Sequence, residues 1–282
     1  MTATGDIGAY YDALTPVLRQ LWGDNFHIGL WPDDTEPAEP AADRMAAVTA
    51  AGDRLTDLLL RELRPRSGQK FLDMGCGIGR PALRLARSTG SHVTGITIST
   101  TQVALATARA EAAGLGDRAR FQHADATCLP FTDHSYDAAW AIESLLHIAD
   151  TRKALTELHR VLAPGSPFAV SDMILRGSDT GRHAHSSITP VGTLLVHLAE
   201  TGYHVEKIID LDAQLHRSLQ HLEADLARHH DELRAAHGDQ AVDALSRILR
   251  KTVPHVGSVF GYVVITARAI PVPAPDTTAR PR

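Results

Sequence analysis

Three glycines at alternate positions, Gly75, Gly77 and Gly79, lie in the stretch FLDMGCGIGRP, directly after an apolar run that ends in Asp73-Met74. Glycine lets backbone approach a ligand that a Cβ would keep away. Such a loop serves three purposes: cradling a phosphate, packing against a nucleoside, or simply turning from strand into helix. A dinucleotide loop of the form G-x-G-x-x-G starting at Gly75 needs its third glycine where this chain has Arg80. A phosphate loop needs a lysine behind its glycines, and none follows here. The sixteen histidines invite a metal reading. His183 and His185, however, form only an H-x-H in a polar loop, and His229-His230 lie on a charged helix. With no H-E-x-x-H and no carboxylate set at ligand spacing, no metal is expected.

The glycine loop is held by a regular alternation of elements. QKFLDM, SHVTGITI, ARFQHADA, YDAAWAI and PFAVSDMIL have strand character; RPALRLARS, TQVALATARAEAAG and residues 151 to 162 have helical character, with Gly114 placed to cap the second of these helices. Strands alternating with helices of about 10 to 15 residues imply a parallel, doubly wound sheet whose ligands sit at the carboxyl ends of the strands. Upstream, residues 7 to 22 carry apolar side chains at helical spacing, WGDNFHIGLWPDD is a turn-rich aromatic segment, and a helix follows from about Ala41 to Leu63. Downstream, a helix at 188 to 201 precedes two late strands, YHVEKIIDL and GSVFGYVVITAR, separated by a helical stretch over 213 to 250. Those two strands suggest an antiparallel closing edge. The Pro-rich tail 271–282 is expected to be disordered.

Composition narrows the partners. At 282 residues and 44% hydrophobic content the chain can build a substantial core. A net charge of -5 without a basic run argues against a nucleic-acid surface. Cys76 and Cys128 cannot form a disulfide framework, no basic-then-apolar leader opens the sequence, and no 18-residue apolar run is present. A soluble cytoplasmic protein is expected, with no membrane partner and with oligomerisation left open.

Candidate ligand-facing residues follow four strands in turn: Asp73 and the glycines; Thr97, Ser99 and Gln102; Asp125 and Ala126; and the segment Trp140 to His147. Over residues 65 to 175 this order resembles the class I S-adenosylmethionine-dependent methyltransferases. WGDNFHIGLW, DMGCGIGRPALRLA, VTGITISTTQ and ESLLHIAD further resemble the bacterial natural-product branch that methylates sugars, macrolides and other secondary metabolites. The resemblance implies a Rossmann-like α/β fold with a mixed seven-stranded sheet, N-terminal helices and a helical insertion before the last strand. The corresponding units are an N-terminal helical lid (1–64), a cofactor-binding core (65–210), a helical cover (211–255), a closing strand (256–270) and the tail. It also implies S-adenosyl-L-methionine as cofactor and a small-molecule acceptor. Gly75, Gly77 and Gly79 would pack against the methionyl part, with Asp73 orienting the loop or approaching the ammonium. Gln102, or else Thr97, with Ser99 nearby, would meet the ribose. Asp125 would accept from the adenine amino group, with Ala126 against the ring and Trp140 close by.

An oxygen acceptor also requires a proton acceptor. Some sugar O-methyltransferases of the resembling branch pair a His after the fourth strand with an Asp ending the fifth. Asp172 matches the Asp, whereas the His-His of those enzymes is Leu146-His147 here, so His147 matches only the second histidine. His147 with Asp172, or His183 or His185 from the loop above, are the candidate bases. A carbon acceptor would need no strong base, and Glu143 could then quench a carbocation held by aromatic faces. Trp22 and Trp31 fit either an acceptor pocket or the core. O-methylation of a hydrophobic secondary metabolite is favoured; C-methylation is the runner-up, and a cofactor-retaining cyclase without methyl transfer is a third reading.

Overall fold

The computed structural model describes residues 14–32, 41–176 and 188–270. The start of the first helix, His183, His185 and the tail lie outside the described residues. Seven strands form one sheet in the order β3-β2-β1-β4-β5-β7-β6. They are β1 (Lys70–Met74), β2 (His92–Thr97), β3 (Ala119–His123), β4 (Ala138–Ile142), β5 (Pro167–Leu175), β6 (Tyr203–Asp210) and β7 (Phe260–Ala269). The first five run parallel, while β7 pairs antiparallel with both β5 and β6. The second late strand is therefore inserted between β5 and the first, which becomes the edge. Its burial decides the order: β7 is buried at nine of its ten positions, whereas β6 alternates with exposed residues, as an edge strand should.

Around the sheet lie α1 (residues 14–22), α2 (Ala41–Leu63), α3 (Arg80–Thr89), α4 (Thr100–Ala112), α5 (Thr151–Val161), α6 (Val191–Glu200), α7 (Asp212–Arg228), α8 (His230–His237) and α9 (Asp239–Thr252). Strand alternation divides the core in two. Phe71, Trp140 and Tyr262 pack with α1, α2, α7 and α9 on one face, while Leu72, Met74 and Phe168 pack with α5 and α6 on the other. The single helical stretch expected over 213 to 250 is three helices. Gly238, at φ 82°, separates α8 from α9, since L side chains rarely adopt that conformation. The third strand stops at His123, leaving Ala124 to Ala126 as loop.

Chain order runs outward from β1 to β3 and then returns to β4 on the other side of β1. That reversal opens a crevice at the carboxyl ends of β1 and β4, where α/β sheets bind ligands. One cavity of about 1290 Å³ occupies it, lined from the glycine loop across to α7 and α9.

Candidate active site

Gly75, Gly77 and Gly79 all have positive φ, at 84°, 52° and 82°. Their surroundings differ. A Cβ on Gly75 would stand 2.2 Å from Ser144 Cβ, and one on Gly79 would stand 2.7 Å from Phe121 Cζ. On Gly77 it would meet nothing nearer than Phe26 Cδ2, at 3.9 Å. Two glycines therefore permit internal packing, and the middle one leaves backbone bare towards the cavity. Gly75 and Cys76 N–H both donate to Ile96 O at 2.9 Å, fixing the loop to β2. Arg80, in place of a third dinucleotide glycine, forks onto Asp53 of α2 at 2.9 and 2.8 Å.

Asp73 lines the cavity, is 1% exposed, and has an Oδ2 without a hydrogen-bond partner. Burial pushes its carboxyl up to about 7; the Trp140 indole N–H, directed towards it without normal hydrogen-bond geometry, opposes this. Trp140 itself is a correction. It is fully buried, stacks edge-on to Phe71 at 4.8 Å and is not among the cavity-lining residues, so it sits behind Asp73 and outside the cavity wall.

After β2, the Thr97 hydroxyl donates to Gln102 Oε1 at 2.8 Å, and Gln102 Nε2 donates to Thr15 of α1 at 3.4 Å. Both Thr97 and Gln102 line the cavity. Ser99 does not: its Oγ accepts from Gln102 N at 3.0 Å, making it the N-cap of α4. After β3, Ala124 and Ala126 line the cavity, and Asp125 between them is not part of the lining. Asp125 Oδ1 accepts from Thr127 N and Oγ1 at 2.8 and 2.9 Å, leaving Oδ2 uncommitted among the described residues.

After β4 the chain turns at Glu143, whose φ of 45° is unusual for a non-glycine residue. Its Oε1 accepts from Ile28 N at 2.7 Å and Tyr262 Oη at 3.0 Å. Because that phenol donates to the carboxylate, the Ser171 hydroxyl 3.0 Å away must donate to the phenol. Burial raises the Glu143 carboxyl to about 7. His147 ends the 3-10 turn Leu145–His147, lines the cavity and is held neutral by burial, its pKa lowered to about 4.

Asp172 corrects a second expectation. Its oxygens accept from Leu146 N at 3.0 Å and Met173 N at 2.9 Å, it is absent from the cavity lining, and burial raises its pKa well above the usual range. It anchors the turn that carries His147. Of the aromatics left open, Trp22 lines the cavity. Trp31 stacks on His221 at 4.0 Å and donates to Ser218 Oγ at 2.9 Å outside it.

Sequence reasoning missed the strap of residues 25–31 as a wall of the site. Leu30 N bonds Ala51 O at 2.9 Å, Gly29 N bonds Ser218 Oγ at 3.0 Å, and Trp31 N bonds Gln214 Oε1 at 2.6 Å. These bonds pin the strap between α2 and α7 and bring Phe26, His27 and Ile28 onto the cavity. The resemblance carried by WGDNFHIGLW and the lid expected over 1–64 pointed to this region without singling out the residues that line the cavity. Among the described residues, no group of three His, Cys, Asp or Glu could hold a metal ion, and no helix is long and apolar enough to cross a membrane.

A bare glycine loop, a partnerless buried carboxyl oxygen and a polar pair after β2, all at the switch point of a seven-stranded sheet, fit a cationic nucleoside and define a Rossmann-like methyltransferase site. The model of the methyltransferase domain family matches residues 72–170. The 27-O-demethylrifamycin SV methyltransferase of Amycolatopsis mediterranei is 34% identical over 281 residues, covering 93% of this chain and 96% of that protein. Methyltransferase GfsG of Streptomyces halstedii is 42% identical over 173 residues, 61% of this chain, and the match spans 59% of that protein's length. Among solved structures, the [4+2]-cyclase SpnF superposes with a TM-score of 0.84 at 31% identity, over 95% of this chain and 96% of that one. The chain belongs to the S-adenosylmethionine-dependent methyltransferases, in the branch that serves bacterial natural-product biosynthesis.

Proposed function

We propose that the protein methylates a hydroxyl oxygen of a small hydrophobic secondary metabolite. The observation that carries this reading is the cavity at the switch point. It runs from the glycine loop to a wall that includes Leu14, Leu18, Trp22, Ile28, Leu215 and Leu245, with His27, Glu143 and His147 among its polar groups. Such a space suits an apolar acceptor beside a polar cofactor. The cofactor, when bound, supplies a methyl group on positively charged sulfur, ready for in-line displacement.

The chain's own residues then hold, align and deprotonate. Backbone at Gly75, Gly77 and Gly79 takes the methionyl part, and Asp73 receives the ammonium that its Oδ2 lacks. Gln102, braced by Thr97, meets the ribose, and Asp125 with Ala126 meets adenine. Alignment alone supplies much of the rate in a displacement of this kind. Glu143 ties the strap to the sheet and keeps the acceptor compartment closed against α2 and α7. The name of the rifamycin relative, which methylates an oxygen, supports an oxygen acceptor. The likeness to a [4+2]-cyclase favours a second reading, a cyclisation in a retained nucleoside pocket.

The test incubates the protein with methyl-labelled S-adenosylmethionine and a panel of hydroxylated polyketide-type and terpenoid acceptors. Label on oxygen is the expected outcome. Label on carbon, or bound cofactor without transfer and with a cyclised product, would refute it.

A further inference from the structure

His27 lines the cavity and is only 3% exposed. Its Nδ1 lies 2.8 Å from the carbonyl oxygen of Ile28. A carbonyl can only accept, so Nδ1 carries the hydrogen and Nε2 is left with a lone pair. That Nε2 is buried and has no hydrogen-bond partner. The ring cannot swing away easily, because Ile28 N is itself bonded to Glu143 and Gly29 N to Ser218. A single acceptor atom with a fixed tautomer is thus held within a residue of the cavity wall by a pinned segment of backbone.

We propose that His27, through Nε2, accepts the proton of the acceptor hydroxyl during methyl transfer. This rests on the O-methylation reading above. As the acceptor oxygen bonds to the methyl carbon, the carbon–sulfur bond breaks with its electron pair left on sulfur, and the hydroxyl proton passes to Nε2. The imidazolium returns the proton to solvent after product leaves. Atoms and charge balance: one cation, the sulfonium, is replaced by one cation, the imidazolium.

That balance resolves an apparent obstacle. Burial lowers the His27 pKa to about 4, with its hydrogen bond to Ile28 O and Asp53 of α2 acting to raise it and Arg80 of α3 to lower it. In the free protein the ring is therefore a weak base. During transfer, however, positive charge leaves sulfur as it arrives on the ring, so the apolar cavity never holds two cations. Glu143, which reaches the same segment through Ile28 N, is a positioning residue on this scheme: its Oε1 is already taken by two hydrogen bonds.

The experiment compares the parent with His27→Gln, His27→Ala and His147→Gln, using the best hydroxyl acceptor from the labelled panel. Expected for His27→Gln is a kcat lower by about 100-fold or more, with S-adenosylhomocysteine affinity retained within about twofold. Its log kcat should rise with pH where the parent is flat above about pH 5. His27→Ala should regain activity with added imidazole. Independently of turnover, nitrogen-15 spectra of histidine-labelled protein should show a neutral Nδ1–H ring with bare Nε2. Parent-like kcat and pH profile in His27→Gln, an Nε2–H tautomer, or the pH signature appearing in His147→Gln would each overturn the proposal while leaving O-methylation standing. A parent that never labels oxygen would overturn both.

Discussion

Alanine at each of the three loop glycines should separate packing from ligand contact. All three have positive φ, so each substitution carries about 1–2 kcal/mol of backbone strain. For Gly77 that is the whole cost, because its added Cβ meets nothing closer than 3.9 Å. Gly77→Ala should lower Tm by only about 2–6 °C. Gly75→Ala adds a contact at 2.2 Å with Ser144 Cβ, whose hydroxyl is itself bonded to Met74 O at 2.6 Å and cannot readily retreat. Overpacking of this kind adds about 1–3 kcal/mol. A total of roughly 2–5 kcal/mol corresponds to a Tm lower by about 4–15 °C. Binding should reverse the order. A methyl group on Gly77 stands where the cofactor's backbone contacts would form and should raise the Kd for S-adenosylhomocysteine at least about tenfold, equivalent to about 1.4 kcal/mol. Calorimetric titration and thermal melts on both variants measure the two effects. If Gly77→Ala binds as tightly as the parent, or loses as much stability as Gly75→Ala, the middle glycine does not face the cofactor.

Asp73 has a folded-state pKa raised to about 7 from 3.8, so its stabilising contribution is present below pH 3.8 and is lost as pH rises through 7. Without cofactor, urea melts of Asp73→Asn should therefore gain on the parent by on the order of 4 kcal/mol between pH 4 and 8, and a constant difference would contradict the burial argument. Asp172→Ala strands the N–H groups of Leu146 and Met173 and should lose about 2–4 kcal/mol of stability, while residual turnover keeps the parent's pH profile; a shifted profile would return Asp172 to a catalytic role. Asp125→Ala should raise the cofactor Kd about tenfold if Oδ2 holds the adenine amino group, and unchanged binding would refute that contact.

What was legible in the sequence is what local physics determines. Buried apolar runs such as AAWAI and the glycines after β1 can form little else, and the order of strand ends followed from them. The insertion of β7 between β5 and β6 was not legible, because pairing order depends on which strand is buried on both faces once the helices are in place. Trp140 and Asp172 were misplaced for a related reason. Trp140 stops two residues short of Ile142, where β4 reaches the cavity, and Asp172 precedes Met173, which lines it; one residue of register turns a side chain to the opposite face. His27 went unnoticed because the resemblance carried by WGDNFHIGLW assigns no role to its individual residues. Its tautomer depends on Ile28 O, and its fixed position on Glu143 and Ser218, 115 and 189 residues away from their partners in the strap.

The most direct measurement is a crystal structure of the complex with S-adenosylhomocysteine. The nucleoside should lie between the glycine loop and Gln102, its ammonium at Asp73 Oδ2, and its sulfur facing the compartment lined by His27, Glu143 and His147. Sulfur directed away from those three residues, or a nucleoside bound elsewhere, would contradict methyl transfer in this cavity.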